Sequence, residues 1–196
     1  MTAFVPVVQL LLAPRLSRSL QLMLLLVAAV LVGVSCGGGD GLAEVVPVQG
    51  RTLEIHVYRP IIERQFLFSY EGKVYKLEVP DPSRRIAAVQ IIVVSRNITY
   101  VPMNIDGESA QLGNASKGEK YSMLDPLETA QILQGVPPES GVVGPIMWGG
   151  FELTSGTQAS GWMFFEIPVG LKTDTLWWNE ADQIIARFGG YSPPER

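Results

Sequence analysis

The chain has 196 residues, with 15 basic and 19 acidic side chains, a formal net charge of −4, one cysteine and one histidine. An acidic chain lacks the basic clusters that bind phosphate backbones, so nucleic acid is not an expected partner. Charge alone would not hold such a chain to an anionic membrane either. A single cysteine excludes an internal disulfide, so the fold depends on its hydrophobic core.

The first predicted element is an uncharged apolar run from Leu20 to Cys36, preceded by Arg15 and Arg18. A basic flank, an apolar segment and small residues at its end are the layout of a secretory signal. The ending Val32-Gly33-Val34-Ser35-Cys36 resembles the lipobox of bacterial lipoproteins, although Gly33 stands where leucine is usual. This pattern predicts a signal peptide over 1–35, cleavage before Cys36 and a diacylglycerol on its thiol.

Two alternatives to lipidation stay open at this point. An uncleaved anchor would need about 20 apolar residues, more than the run offers. A plain secretory signal would leave Cys36 as a chance residue. On the lipoprotein reading, 36–51 is the lipidated cysteine and a flexible linker that begins with Gly37-Gly38-Gly39-Asp40-Gly41, and the protein is held to a membrane outside the cytoplasm.

A half-buried strand is predicted from Thr52 onwards, where Leu53, Ile55 and Val57 alternate with polar residues. A β-hairpin follows, because Glu71-Gly72 joins two strand-like runs. The runs are Phe66 to Tyr70 and Lys73 to Val79.

The most apolar strand candidate, Ile86 to Val94, carries apolar side chains on both faces, which predicts a central, covered strand. Asn104 to Lys120 reads as a loop or weak hairpin. Asp125-Pro126-Leu127-Glu128 is a helix start with a capping residue, and Gly135 would end that helix. Val136 to Gly150 reads as a loop because of its prolines and glycines.

Three more strands are predicted near the C-terminus, over Gln158 to Ile167, Thr175 to Trp178 and Gln183 to Phe188. Short strands punctuated by turns, with one short helix, predict an all-β, immunoglobulin-like antiparallel β-sandwich over 52–189. Residues 190–196 contain two prolines and no periodicity, so they are predicted to be a disordered tail.

Gly156 to Pro168 is similar to the late segment of a bacterial domain family of unknown function, in words the "four-three-five-two" family. Leu176 to Asn179, Gln183 to Phe188 and Ala88 to Asn97 also resemble it, so the likeness covers most of Arg85 to Phe188. The resemblance implies a secreted lipoprotein with an immunoglobulin-like sandwich. That family has no established catalytic residues, so the resemblance assigns none here.

Catalytic groups are scarce in the sequence. His56 is the only histidine, alternates with Ile55 and Val57, and is expected on the solvent face of a strand. A Ser-His-Asp triad or a zinc site needs imidazole, and zinc usually needs more than one. A lipidated Cys36 could not act as a nucleophile, and no G-x-S-x-G motif occurs. The sequence therefore predicts a protein that is not an enzyme, with no cofactor and no metal; an envelope hydrolase is a weak third alternative.

Carboxylates and amides in two loop regions offer oxygen ligands of the kind that calcium takes. The alternative is that they are solubilising turn residues. The candidate contacts are Asn104, Asp106 and Glu108 in one loop, and Asp174, Glu180 and Asp182 around the last hairpin.

Tryptophans are a second candidate for binding. Trp177 and Trp178 are adjacent, so in a strand they face opposite sides. Trp148, Trp162 and Trp177 could form an aromatic ligand patch, or Trp162 could pack in the core under the helix or the preceding loop. The function expected from the sequence is a membrane-anchored, non-catalytic module that binds a protein or an envelope component. The alternative is a sensor for a small ligand or calcium.

Overall fold

The computed structural model describes residues 45–96, 98–136, 138 and 140–189. The predicted signal peptide, Cys36 and the tail 190–196 lie outside the described residues. The described elements are β1 Val45–Gln49, β2 Leu53–Tyr58, β3 Ile61–Glu63, β4 Gln65–Tyr70, β5 Lys73–Glu78, β6 Arg84–Ser95, β7 Tyr100–Ile105, β8 Ala110–Asn114, β9 Glu119–Ser122, α1 Pro126–Thr129, β10 Gln131–Ile132, β11 Val142–Val143, β12 Gly149–Thr154, β13 Gln158–Pro168, β14 Thr175–Trp178 and β15 Ile184–Arg187.

The main sheet has the order β1-β2-β6-β13, with β3 also paired to β6. All its pairings are antiparallel. Strand β6 lies at the centre: Val89 and Ile91 on one face belong to the larger core, and Ile86 and Ala88 on the other face belong to the smaller one. Farther along that second face, Ile92 and Val94 are half-buried. The predicted central, covered strand is confirmed.

The larger core lies between one face of the main sheet and two further sheets, β15-β14-β8-β9 and β7-β12. Leu53, Ile55 and Val57 of β2 contribute fully buried side chains to it, as their alternation predicts. Beyond β9, Met123 forms a β-bridge with Phe165 of β13. At the opposite edge of the main sheet, β1 lies beside β15.

The smaller core lies on the opposite face of the main sheet, under the sheet β10-β5-β4-β11. The Phe68 ring stacks on Tyr75 of the neighbouring strand, with centroids 5.3 Å apart, and lies 5.5 Å from the Phe164 ring of β13. The hairpin β4–β5 is confirmed. Its turn residues Glu71 and Gly72 have φ of 48° and 74°, the left-handed pair that a two-residue hairpin turn requires.

The fold is therefore an all-β sandwich of mainly antiparallel sheets with one short helix in the described residues. That helix is shorter than predicted. Asp125 caps it as expected, but it ends at Thr129 rather than near Gly135. Ala130 is extended, and Gln131–Ile132 instead pair with β5.

Several strands fall where none was predicted. Val45–Gln49, expected in the linker, form the edge strand β1 along β2. Gly149–Thr154 form β12 along β7, although the glycines suggested a loop. The short strands β3, β10 and β11, which pair with β6, β5 and β4, were also not predicted. The hairpin β8–β9 begins within 104–120, where a weak hairpin was one of the two alternatives, and ends at Ser122.

Within the residues that the structure describes, no helix is long and apolar enough to cross a membrane.

Candidate functional site

An open polar cleft of about 870 Å³ lies between two turns that are far apart in the chain. One turn joins β1 to β2, and the other joins β14 to β15. The cleft is lined by Gln49, Gly50, Arg51, Thr52, Asn179, Ala181, Asp182 and Gln183. Only Asp182 among these residues was a candidate from the sequence.

Asp182 fastens the two turns together. Its Oδ2 accepts hydrogen bonds from the backbone N–H of Thr52 at 2.9 Å and of Leu53 at 3.4 Å, and from the Thr52 hydroxyl at 3.3 Å. Its Oδ1 accepts from the backbone N–H of Gln183 at 2.9 Å. Both carboxylate oxygens are therefore engaged by the protein, which positions the cleft walls and leaves Asp182 less free to hold a ligand.

The environment of Asp182 acts on its charge in two opposing ways. Burial raises the pKa of its carboxyl, but hydrogen bonds from the backbone of Thr52, Leu53, Gln183 and Arg51 together lower the pKa below its ordinary 3.8. Hydrogen bonds to the charged form favour it, so the carboxylate stays ionised.

Gly50 lets the two turns approach closely. A Cβ at this position would overlap the Asp182 carboxylate and lie 2.8 Å from Cδ1 of Ile184. A side chain here would therefore force the turns apart, so the width of the cleft depends on glycine at residue 50.

The groups left to meet a ligand are a guanidinium and three amides. Arg51 and Gln183 are exposed, and in the described parts of the chain the Arg51 guanidinium has no ion-pair partner. The Asn179 amide makes one long hydrogen bond, 3.4 Å to the Glu108 carbonyl. Amide side chains both donate and accept, and arginine donates through a planar fork. This set suits a polar ligand with several hydrogen-bonding groups.

The loop that carries three predicted ligands lies against the β14–β15 turn. The Glu180 carboxylate accepts from the Asn104 backbone N–H at 3.0 Å. The Asp106 carboxylate is used within its own loop, where Oδ1 accepts from the Glu108 backbone N–H at 2.9 Å and from the Ser109 hydroxyl at 3.1 Å. These contacts hold the loop and the turn in place.

Asp174 lies at the opposite end of β14, because it precedes that strand while Glu180 and Asp182 follow it. Its carboxylate accepts from the Ala115 backbone N–H at 2.8 Å and the Thr175 hydroxyl at 2.7 Å. It lines a second cleft of about 430 Å³ together with Ser116 and Arg187. The six predicted contacts therefore do not form one cluster. In the described residues, no group of three or more His, Cys, Asp or Glu side chains is placed to hold a metal ion.

The three candidate tryptophans are likewise separated. Trp148 packs against both cores, and Trp162 packs against the smaller one. The Trp162 backbone is paired through its N–H to the Pro145 carbonyl and through its carbonyl to the Met147 N–H, both at 2.9 Å. Trp177 lies on a different sheet, in β14, beside the fully buried Trp178.

His56 is part of a small charged group on the face of the main sheet away from the larger core. Its Nε2 lies 2.7 Å from Oε1 of Glu54, whose Oε2 accepts from the Arg96 guanidinium at 3.1 Å. The location on a strand, alternating with buried Ile55 and Val57, is the one expected from the sequence.

The comparisons with known proteins add little to this geometry. No family model matches the chain, and no curated protein matches it. Among solved structures, the chain is similar to YcdA of Bacillus subtilis, described as a candidate lipoprotein, with 14% identity and a TM-score of 0.39 over 71% of this chain and 37% of that one. The chain thus spans little more than a third of that protein. The family to which the sequence showed a resemblance is not confirmed.

Proposed function

We propose that this protein is a non-catalytic binding module, held outside the cytoplasm by a lipid on Cys36, whose ligand or partner docks in the cleft fastened by Asp182. The single observation that carries the binding part is the bridge from Asp182 to Thr52 and Leu53, which sets the shape of a concave polar surface in advance. A site that is already ordered loses less entropy when it binds.

The chemistry of the lining supports a polar organic ligand. Arg51, Asn179, Gln183 and Gln49 offer donors and acceptors, whereas the Asp182 oxygens are already taken. A saccharide, a cell-wall fragment or the backbone of a peptide fits this set. A calcium site would need free carboxylate oxygens from several residues, and the carboxylates of the described chain are dispersed.

The location rests on the sequence of the first 36 residues. The basic flank, the apolar run and the ending Val-Gly-Val-Ser-Cys are the features of a lipoprotein signal, and the glycine run after Cys36 supplies a tether. The tether would allow the folded part to reach a ligand at a distance from the membrane surface.

The test is a thermal-melt screen of the full-length protein in a neutral detergent. The panel contains neutral and acidic sugars, cell-wall fragments, short peptides, calcium and a chelator. A ligand at about 100 times its dissociation constant adds about 2.7 kcal/mol to the free energy of unfolding, which raises the melting temperature visibly.

Variants locate the ligand that the screen finds. Asn179→Ala and Gln183→Ala should abolish the stabilisation by that ligand, whereas Lys73→Ala, on the hairpin β4–β5, should leave it unchanged. A panel without any shift, or a shift that survives both cleft variants, would reject the proposed site.

A further inference from the structure

The outward side of the sheet β15-β14-β8-β9 carries a set of side chains that none of the roles above uses. Leu176, Trp178, Ile184 and Ala186 are buried in the larger core. Since side chains alternate along a strand, Trp177, Ile185 and Arg187 lie on the opposite, outward face. We call this the outward face of the β14 sheet; it consists of Trp177, Ile185, Arg187, Gln111 and Lys120.

The strand register places apolar and cationic side chains in two adjacent rows. Trp177 is opposite Ile185 on one side and Gln111 on the other. Ile185 is 51% exposed, so its side chain is open to contact beside Trp177. The Lys120 Nζ lies 4.5 Å from the centre of the Trp177 ring, so a cation covers the indole.

The second row carries the two cations. Arg187 is opposite Thr175, Thr175 is opposite Gly113, and Gly113 is opposite Lys120. Three strand spacings of about 4.8 Å put the backbones of Arg187 and Lys120 about 14 Å apart. Both residues are exposed, and within the part of the chain that the structure describes neither has an ion-pair partner.

The charge of this face is opposite to that of the protein. The chain as a whole has a net charge of −4, yet the outward positions of β8, β9, β14 and β15 carry two cations and no carboxylate. Glu119, next to Lys120 in β9, takes the inward position, on the same side as Tyr121, which packs against the larger core. Asp174, just before β14, is held by the Ala115 N–H and the Thr175 hydroxyl. Charge complementarity therefore favours an anionic partner at this face.

We propose that the outward face of the β14 sheet docks an acidic polypeptide segment that carries an apolar side chain between its carboxylates. Trp177 and Ile185 receive the apolar side chain, and Lys120 and Arg187 pair with the flanking carboxylates. Tryptophan and arginine are the residues that most often dominate protein interfaces. None of these residues lines the cleft fastened by Asp182, so the surface is independent of the function proposed for that cleft.

The composition of the face decides between classes of partner. A polyanion such as a phosphate polymer or nucleic acid is bound by clusters of several cations, and this face has two. An anionic membrane is an extended charged surface, so it would also meet the net negative charge of the rest of the chain, whereas a short peptide segment meets this face alone. A peptide segment can place one apolar side chain against Trp177 and Ile185, between two carboxylates that pair with Lys120 and Arg187.

The test measures the fluorescence anisotropy of a labelled peptide, acetyl-Glu-Asp-Leu-Glu-Asp-amide, titrated with the full-length protein in a neutral detergent. The peptide should bind, and added salt should weaken it because the pairs are exposed. Trp177→Ala and Lys120→Ala should each weaken binding by about tenfold, the effect of losing a residue that dominates an interface. Lys73→Ala is the matched control, since it removes an exposed cation from a different sheet and should leave affinity unchanged.

Lys120 is exposed, so its replacement leaves the fold intact even if Trp177→Ala alters it; melting curves of both variants check this. The proposal is overturned if the peptide does not bind, or if Lys120→Ala and Lys73→Ala weaken it equally. It is also overturned if the glutamine-asparagine version of the peptide binds equally well. Equal competition by polyphosphate, or by phosphatidylglycerol added to the detergent as mixed micelles, would assign the face to a polyanion or a membrane instead.

Discussion

The Asp182 carboxylate accepts a hydrogen bond from the backbone N–H of Thr52, a residue 130 positions earlier in the chain. The bond joins the turn after β1 to the turn after β14, at the two sides of the polar cleft. One side chain thus links the first pair of strands to the last and sets the geometry of the site proposed for ligand binding.

Replacing this carboxylate should loosen both turns. Asp182→Ala removes the acceptor of the Thr52 and Leu53 N–H groups, and a partly buried donor left without a partner costs about 1–3 kcal/mol. Urea unfolding should show a free energy of unfolding lower by that amount, seen as a lower midpoint with an unchanged slope. Glu108→Ala is the control, because among the described residues only the backbone of Glu108 is hydrogen-bonded and its carboxylate has no partner. Equal stability of the two variants would contradict the bridging role.

The lowered pKa of Asp182 predicts that the wild type and Asp182→Ala respond differently to acid. Because hydrogen bonds hold the pKa of Asp182 below 3.8 in the folded protein, its contribution is complete above that value. The contribution is lost as the pH falls through the lower folded pKa. The gap in unfolding free energy between the wild type and Asp182→Ala should therefore be constant from neutral pH to about pH 4 and shrink below it.

Other carboxyls do not disturb this comparison. Glu78 and Asp81 also have lowered pKa values, through hydrogen bonds from Lys76 and Ser83 respectively, but both proteins share them. Their contributions to the free energy of unfolding therefore cancel when Asp182→Ala is compared with the wild type. A gap that stayed the same down to about pH 2.5 would show that Asp182 gains nothing from its charge.

The smaller core should contribute strongly to the free energy of unfolding, because it buries three phenylalanine rings. Phe164 is 1% exposed and contacts Phe66 and Phe68 at ring distances of 5.9 and 5.5 Å. Phe164→Ala should cost about 3–5 kcal/mol in a chemical denaturation experiment, because it leaves a cavity between β13 and the hairpin. Ile132→Ala, at a side chain that is 48% exposed, should change stability by less than about 0.5 kcal/mol.

The lipid anchor is tested in cells. Cys36→Ala removes the thiol that would carry the lipid, so labelled palmitate fed to the cells should be incorporated into the wild type and not into the variant. Cys36→Ser serves as a second variant of nearly the same size. An unlabelled wild type, or equal labelling of the wild type and both variants, would contradict lipidation at Cys36.

Periodicity revealed the strands whose burial is regular. The alternation in β2 was readable because one buried face imposes a period of two. The run of β6 was readable because a strand covered on both faces is apolar at nearly every position, and the limits of β14 were also predicted correctly. Strands β1 and β12 were missed because Pro47, Gly149 and Gly150 are typical of loops, and only their partners β2 and β7 make them strands. The helix was overextended because pairing with β5 competes with it after Thr129.

The cleft was less predictable than the fold. Asp182 was identified as a polar turn residue, but Arg51, Asn179 and Gln183 carry no local signal of a shared site. They meet only because two turns from opposite ends of the domain are joined by one carboxylate. Asp174 was grouped with Glu180 and Asp182 because all three lie around the last hairpin, but the length of strand β14 separates Asp174 from the other two.

The most direct measurement maps the changes in backbone amide chemical shift when a ligand is added. The full-length protein, in a neutral detergent, is titrated with the compound that stabilises it most in the melt screen. We expect the shifted amides to cluster over 50–53 and 179–183, on both walls of the cleft. Shifts confined to the β4–β5 hairpin or to the outward positions of β14, with the cleft amides unmoved, would contradict it.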